Sequence, residues 1–117
     1  MSFNGIFNGG GHVISYTIAD SSETYQGLFG CIDTGAEIRN LAVGAEISNC
    51  DMYTGGIAAE VRTSCVIENC ASVINITAKD SLYEGYLGGI AGLNTGLINY
   101  CFAEANINAK ADKVRVG

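Results

Sequence analysis

The sequence predicts an all-β single domain over residues 1–117, wound as a short β-solenoid of about four coils. A glycine-led apolar phrase and an isoleucine-led phrase each occur three times, and the isoleucines recur after 29 and 31 residues. The glycine phrases are Gly27-Leu28-Phe29-Gly30, Gly56-Ile57-Ala58-Ala59 and Gly89-Ile90-Ala91-Gly92, and the isoleucine phrases are Ile38-Arg39-Asn40-Leu41, Ile67-Glu68-Asn69-Cys70 and Ile98-Asn99-Tyr100-Cys101. A repeat of this length indicates structural units that bury their apolar sides against one another.

The elements follow in order from these phrases. The N-terminal stretch contains Phe-Asn-Gly twice and then alternates β-branched and aromatic residues over 13–18, which predicts a turn followed by a strand. The later units run from about 27 to 54, 55 to 87 and 88 to 117. Each contains a glycine-led strand, a small turn and a second apolar strand. Residues 71–77 predict a further strand, and no window shows sustained helical periodicity.

Equivalent side chains of successive coils are expected to stack in columns, because each coil repeats the path of the one before. The predicted inward columns are Ile14, Ile38, Ile67 and Ile98; Leu28, Ile57 and Ile90; and Leu41, Cys70 and Cys101. Asn40 and Asn69 are expected to stack at a bend, where amides satisfy backbone groups. Residues 44–50 echo residues 35–41, and the sequence leaves their place in a coil open.

Composition and charge exclude several classes of protein. The chain is 48% hydrophobic, which excludes a disordered chain, and no apolar run reaches the roughly 18 residues that membrane insertion requires. The start, Met1-Ser2-Phe3-Asn4-Gly5, has neither the basic stretch nor the apolar region of a signal peptide. A net charge of −6 argues against direct nucleic-acid binding, which needs clustered lysines and arginines.

The five cysteines are predicted to be reduced and buried. Their odd number does not fit a secreted disulfide framework, and the spacing of Cys65 and Cys70 is not that of a zinc hook. The single histidine, His12, is remote from them in sequence. We therefore predict neither a metal site nor a disulfide, and free thiols favour a reducing compartment.

At the repeated phrases the chain resembles the GLUG-motif repeats of large bacterial surface proteins, including adhesin-like proteins and regions of the IgA-specific metallopeptidases. The matching stretches are 27–41, 53–70 and 87–101, and residues 3–14 are similar to the coil that commonly precedes such repeats. The resemblance implies a right-handed parallel β-helix and carries over no catalytic residue. The chain departs from the pattern at Ala59 and Glu60, where a glycine-aromatic pair is often expected.

Each residue type that often takes part in catalysis or ligand binding has a simpler structural interpretation in this sequence. His12 lies in a glycine turn, and neither 9–11 nor 88–92 has the lysine and following helix of a phosphate loop. Two carboxylate pairs, Glu37 with Glu46 and Glu60 with Glu68, are candidates for the acid and base of a sugar-cleaving enzyme. Such enzymes need more coils than this chain has to build a substrate cleft. Tyr25, Tyr53, Tyr83, Tyr86 and Phe102 are candidates for an aromatic strip. We predict no enzyme, no catalytic residue and no cofactor.

Two functions of different class remain open. The first is a module of a bacterial surface or adhesin-like protein that binds another protein without catalysis. The second is a small acidic intracellular protein of phage type, an anti-CRISPR-like inhibitor or DNA mimic that blocks a nucleic-acid-processing enzyme. The first places the chain at the cell surface as part of a longer protein, and the second places it in the cytoplasm as a complete one.

The solenoid ends are expected to influence assembly. A coil that starts near Phe3 leaves unpaired backbone groups at both ends, and such edges recruit another chain unless they are capped. Phe3, Ile6 and Phe7 are predicted to cap the first end, whereas Lys110, Lys113 and Arg115 would oppose stacking at the other. The sequence therefore leaves two states open, a homodimer through the ends or the lateral faces and a monomer whose ends are capped internally.

Overall fold

The computed structural model describes residues 2–19, 24–50, 52–78, 84–108 and 113–116, and within these residues every element is a β-strand. The strands are β1 (Ile6–Ile18), β2 (Tyr25–Gln26), β3 (Phe29–Ile32), β4 (Glu37–Cys50), β5 (Tyr53–Gly55), β6 (Ala58–Val61), β7 (Val66–Glu68), β8 (Ala71–Ala78), β9 (Glu84–Gly88), β10 (Ala91–Asn94), β11 (Leu97–Asn99), β12 (Phe102–Asn108) and β13 (Lys113–Val116). All the pairings between them are parallel.

The strands form three sheets that the chain visits in turn. Sheet A contains β3, β6 and β10; sheet B contains β1, β4, β7, β8, β11 and β12; and sheet C contains β2, β5, β9 and β13. The chain passes from A to B to C and returns to A one strand further along, which produces the predicted parallel β-solenoid. It completes about three turns instead of four. The first unit provides β1 and β2, but it contributes only one bridge, from Phe3 to Ile32, to sheet A.

The column of isoleucines is confirmed at three of its four predicted positions. Ile38 pairs with Ile67 and Ile67 pairs with Ile98, and the first two are fully buried. The prediction for Ile14 is wrong, because Phe7 pairs with Ile38 and Ile14 pairs with Val43. The reason is a bulge in β1, where the three glycines at 9–11 lie opposite the single residue 40 of β4.

The other two columns pack against the same core. Ile57 is fully buried, and Leu28 and Ile90 contact the core while remaining partly exposed. Leu41 and Cys70 are buried, whereas Cys101 is half-buried in the last turn. Burial therefore decreases from the middle turns towards the last turn, where no strand of the described chain lies beyond β10, β11 and β12.

Sheet B bends sharply in the middle of each turn. β4 runs through the bend as one strand, whereas β7 and β8 are separated by Asn69 and Cys70, and β11 and β12 by Tyr100 and Cys101. Residues 44–50, which the sequence left unassigned, form the second half of β4 and pair with β8. Each turn therefore adds two segments to sheet B, and this makes sheet B the widest face of the solenoid.

The N-terminal end is closed in part by aromatic rings. The ring centroids of Phe3 and Phe29 are 4.9 Å apart, and those of Phe7 and Phe29 are 5.6 Å apart. Phe3 and Phe7 therefore cap the first end as predicted. Ile6 does not, because its side chain is 72% exposed on the outer side of β1.

Candidate interaction face

Three of the four carboxylates considered as acid–base pairs, those of Glu37, Glu60 and Glu68, are held in charge ladders. The guanidinium group of Arg39 donates to Glu37 on its own strand and to Glu68 on the next turn. Of the two pairs considered, Glu37 and Glu46 lie on β4 on opposite sides of the bend at residue 40, and Glu60 and Glu68 lie on β6 and β7 in different sheets. Glu37 and Glu68 share an arginine instead, and Glu46 pairs by register with Asn75. Such an ion-pair ladder stabilises stacked strands and engages these carboxylates with a cation.

A second charge ladder lies at the end of sheet A. Arg62 donates to Asp33 over 3.1 Å and to Glu60 over 3.4 Å. The backbone N–H of Thr34 and the Arg62 guanidinium hold the pKa of the Asp33 carboxyl below its usual range. An ionised carboxylate of this kind is a poor proton donor at neutral pH. Among the described residues, no three His, Cys, Asp or Glu side chains are grouped closely enough to hold a metal ion.

His12 is exposed and pairs by register with Leu41.

The glycines of the repeated phrases serve close packing. A Cβ atom on Gly56 would lie 2.2 Å from the carbonyl oxygen of Gly89, so the turns approach too closely there for a side chain. The glycine phrase is therefore explained by the contact between successive turns at the junction of sheets C and A.

The cysteines form the predicted ladder. The Cys70 thiol donates to the carbonyl oxygens of Ile38 and Glu68, and the Cys101 thiol donates to those of Ile67 and Asn99 one turn further on. Burial raises the pKa of the Cys70 thiol. Cys31 and Cys65 are buried as well, and the side chain of Cys50 lies outside the described residues. These thiols are structural residues of the core.

The asparagines form the predicted ladder at the bend of sheet B. Asn69 Nδ2 donates to Asn40 Oδ1 over 2.8 Å, and Asn40 Nδ2 donates to Asn8 Oδ1 over 3.2 Å. Asn40 and Asn69 adopt left-handed backbone conformations, with φ of 56° and 54°. The sequence predicts that Asn8 satisfies backbone groups at the N-terminal end, and its Oδ1 accepts from the Gly10 N–H over 2.9 Å. Its place in the ladder was not predicted, because the glycine bulge follows it directly. In the last turn Tyr100 takes the position of the asparagine, with φ of 53°.

The predicted aromatic strip is confirmed only on sheet C. The rings of Tyr25 and Tyr53 stack with centroids 4.9 Å apart, and those of Tyr53 and Tyr86 stack at 5.3 Å. These distances are close to the spacing of neighbouring strands, so the rings follow the register of β2, β5 and β9. Tyr83 lies outside the described residues, and Phe102 belongs to sheet B.

Large apolar side chains are exposed mainly on sheet B. Among the described residues, six of the seven that are exposed lie on its strands or at its bend: Ile6, Val13, Val73, Leu97, Tyr100 and Phe102. Only Tyr25 lies elsewhere. An exposed apolar group confined to one face of a solenoid is typical of a binding surface.

A groove of about 300 Å³ lies between the exposed aromatic residues and the asparagine ladder. Tyr100 is 79% exposed and Phe102 is 62% exposed, while Ala42 and Ala71 form the floor. Val13, Ala42, Ala71 and Phe102 follow one another in register across the four strands of sheet B. The lining contains amides, aromatic rings and aliphatic groups and no charged side chain. We call this surface the sheet B groove.

Comparison of the chain with protein-family models, with curated proteins and with solved structures finds no match. Membership of the GLUG repeats therefore stays a prediction that rests on the repeated phrases. The described residues include no helix that could cross a bilayer.

Proposed function

We propose that the chain is a non-catalytic binding protein, a GLUG-type module that presents sheet B to a protein partner. The observation that supports this function is the concentration of exposed apolar side chains on sheet B, around a groove with an uncharged lining. Protein interfaces depend on a few aromatic anchors surrounded by neutral contacts, and Tyr100 and Phe102 are side chains of that kind.

The charged residues around the groove indicate what kind of partner would fit this face. Glu46 and Glu104 are both exposed on the outer side of sheet B. A partner that fits would bring an apolar segment to the groove and basic side chains to the rim, because complementary charge favours encounter and register.

A photo-crosslinking amino acid at position 102, introduced into the protein in its own cell, tests the proposal. It is expected to capture a partner that the same group at position 25 does not capture, since Tyr25 is an exposed aromatic residue on another face. With the purified partner, Phe102→Ala is expected to weaken binding by about tenfold or more, while Tyr25→Ala leaves it within about twofold. Equal capture at both positions, or unchanged affinity of Phe102→Ala, would contradict the proposal.

The prediction that the chain is not an enzyme has its own test. Hydrolysis of a polysaccharide by the purified protein, lost on substitution of Glu37 or Glu46, would show that these carboxylates act as catalysts.

The acidic inhibitor is the second candidate, and the charge ladders favour it. Both arginines with described side chains are each held by two carboxylates, so neither offers an unpaired cation to a phosphate. A basic nucleic-acid-binding enzyme would then be the partner. Its inhibition is expected to weaken steeply with salt and with Glu46→Lys, and to respond little to Phe102→Ala.

A further inference from the structure

The two ends of the solenoid carry matching free edges in sheet B. Among the described strands, β1 pairs only with β4, and β12 pairs only with β8. Ala103 and Ala105 of β12 are exposed, although their register partners Ser72 and Ile74 are buried. The last turn therefore exposes side chains at positions that the preceding turn buries.

The volumes of these side chains fit the first turn. Tyr16, Ala45, Ile74 and Ala105 succeed one another in register, so large and small residues alternate along the column. Tyr16 of another copy placed beyond Ala105 would continue the alternation. The neighbouring column runs Ile14, Val43, Ser72 and Ala103, so Ile14 of the other copy would follow two small residues there. Alternation of large and small residues is how stacked layers fill space without voids.

The bend of sheet B gives a second, independent fit. Tyr100 projects at the bend of the last turn, where the two preceding turns have asparagine. At the same bend of the first turn lies the glycine bulge. A Cβ atom on Gly11 would have no atom within 4 Å, and one on Gly10 would meet only the ring of His12. The first turn therefore leaves open space where the last turn carries an exposed ring.

The first and last segments of sequence that follow sheet B are opposite in charge. The sequence joining β1 to β2 contains Asp20 and Glu23 and no cation. Residues 109–116, which leave β12 and include β13, contain Lys110, Lys113 and Arg115 against one carboxylate, Asp112. Both segments connect sheet B to sheet C in their own turn. Opposite charge in the two sequence segments favours the contact of a last turn with a first turn over the contact of two last turns.

From these observations we infer that a second copy of this chain docks end to end, with the first turn of one copy stacked in register on the last turn of the other. The new contact pairs β12 with β1 of the next copy in parallel and buries Tyr100 against the glycine bulge. Because the two surfaces differ, the contact is heterologous, and each added copy presents a new free end. Tyr100 and Gly11 also line the sheet B groove, so a docked copy shares part of the surface that the proposed function assigns to a partner, whereas Ala105, the first test position, lies outside the groove.

Sedimentation equilibrium of the full chain from micromolar to near-millimolar concentration tests it. The average mass is expected to rise progressively without a plateau at the dimer. Ala105→Lys should weaken association by about tenfold or more, because it places an ammonium in the apolar contact. The matched control is Asn106→Lys, which adds the same charge at the next, also exposed, residue of β12 and should leave association within about twofold.

Two further variants keep the test decisive if Ala105→Lys does not fold. Tyr100→Asn restores the residue of the other bends, so it should fold at least as stably and associate more weakly. Gly11→Lys fills the bulge, and Gly35→Lys is its control, because Gly35 has a similar φ of 73° against 79° and an equally open Cβ position. Gly11→Lys should abolish association, and Gly35→Lys should retain it.

Mixing the two blocked variants identifies the geometry. Ala105→Lys keeps a free first turn and Gly11→Lys keeps a free last turn, so each alone should be monomeric, while their mixture should form a one-to-one dimer and stop there. A wild-type chain that stays monomeric at near-millimolar concentration overturns the inference. So does a blocked variant that still dimerises alone, or loss of association in Asn106→Lys but not in Ala105→Lys.

Discussion

Residues 40, 69 and 100, at the bend of sheet B in three successive turns, adopt an unfavourable backbone conformation. A positive φ costs a residue with a Cβ atom about 1–2 kcal/mol, and asparagine tolerates it best among such residues. Asn40 and Asn69 offset this cost by donating their side-chain amides along the ladder. Tyr100 adopts the same conformation without an amide, so the last turn retains strain that the others relieve.

Asn69 provides the test of this account. Asn69→Ala is expected to lower the free energy of unfolding by about 1–2 kcal/mol, because it removes a hydrogen bond and leaves a Cβ atom at positive φ. Asn69→Gly removes the same hydrogen bond but relieves the backbone, so it should cost clearly less. Urea denaturation measures both, and equal losses would show that the backbone conformation contributes nothing.

The thiols of Cys70 and Cys101 differ in exposure within one ladder. Brief alkylation of the native protein at neutral pH, followed by peptide mass spectrometry, is expected to label Cys101 before Cys70. Since burial raises the Cys70 pKa, the folded thiol keeps its proton above pH 9, where the unfolded thiol loses it. Native stability should therefore fall as the pH rises past 9, and Cys70→Ala should reduce that fall. Labelling of Cys70 as fast as Cys101 would exclude the buried ladder.

At the scale of the strand, position along the solenoid determines how much a given side chain contributes. Ile38, Ile67 and Ile98 occupy one column, but only the first two have a described strand of sheet B on both sides. Ile67 is therefore fully buried, whereas Ile98 keeps part of its surface exposed. The same residue type at the same repeat position therefore contributes different amounts to the free energy of unfolding.

Truncation of the two isoleucines measures this difference. Ile67→Ala is expected to cost about 2–5 kcal/mol of unfolding free energy, the usual range for a buried large-to-small change. Ile98→Ala should cost about 1–2 kcal/mol, because its cavity is open to water. Val73→Ala, at an exposed position of β8, serves as the control and should change stability by less than about 0.5 kcal/mol. A larger loss for Ile98 than for Ile67 would contradict the stacking order.

The strands also show where sequence reasoning succeeds and where it stops. Offsets of 29 and 31 residues position the repeated isoleucines, asparagines and cysteines correctly, because equal offsets become equal register in a solenoid. Ile14 was misplaced because the bulge at 9–11 adds residues to β1 without advancing its register. The sheet B groove was missed because its floor consists of Ala42 and Ala71, whose outward direction depends on the bend at 40 and 69.

For the molecule as a whole, the successive turns along the solenoid axis make separate contributions to the free energy of unfolding. The strands of each turn pair only with those of the turns before and after it, so the total is close to a sum of turn and interface contributions. The middle turns contain the fully buried side chains, and the first and last turns contain the partly buried ones. Phe3 and Phe7 close part of the first end, whereas the described part of the last turn exposes Ala103 and Ala105.

Hydrogen exchange should reveal this distribution as a gradient. Amides of β4 and β8 are expected to exchange most slowly, because both strands have a paired neighbour on each side. Amides of β12 should exchange at least about tenfold faster, since opening the last turn breaks one interface instead of the whole solenoid. If copies stack end to end, protection of β12 should also increase with protein concentration, while that of β8 stays constant. Identical exchange in β4, β8 and β12 at low concentration would mean that the turns unfold only together, so that no end opens separately.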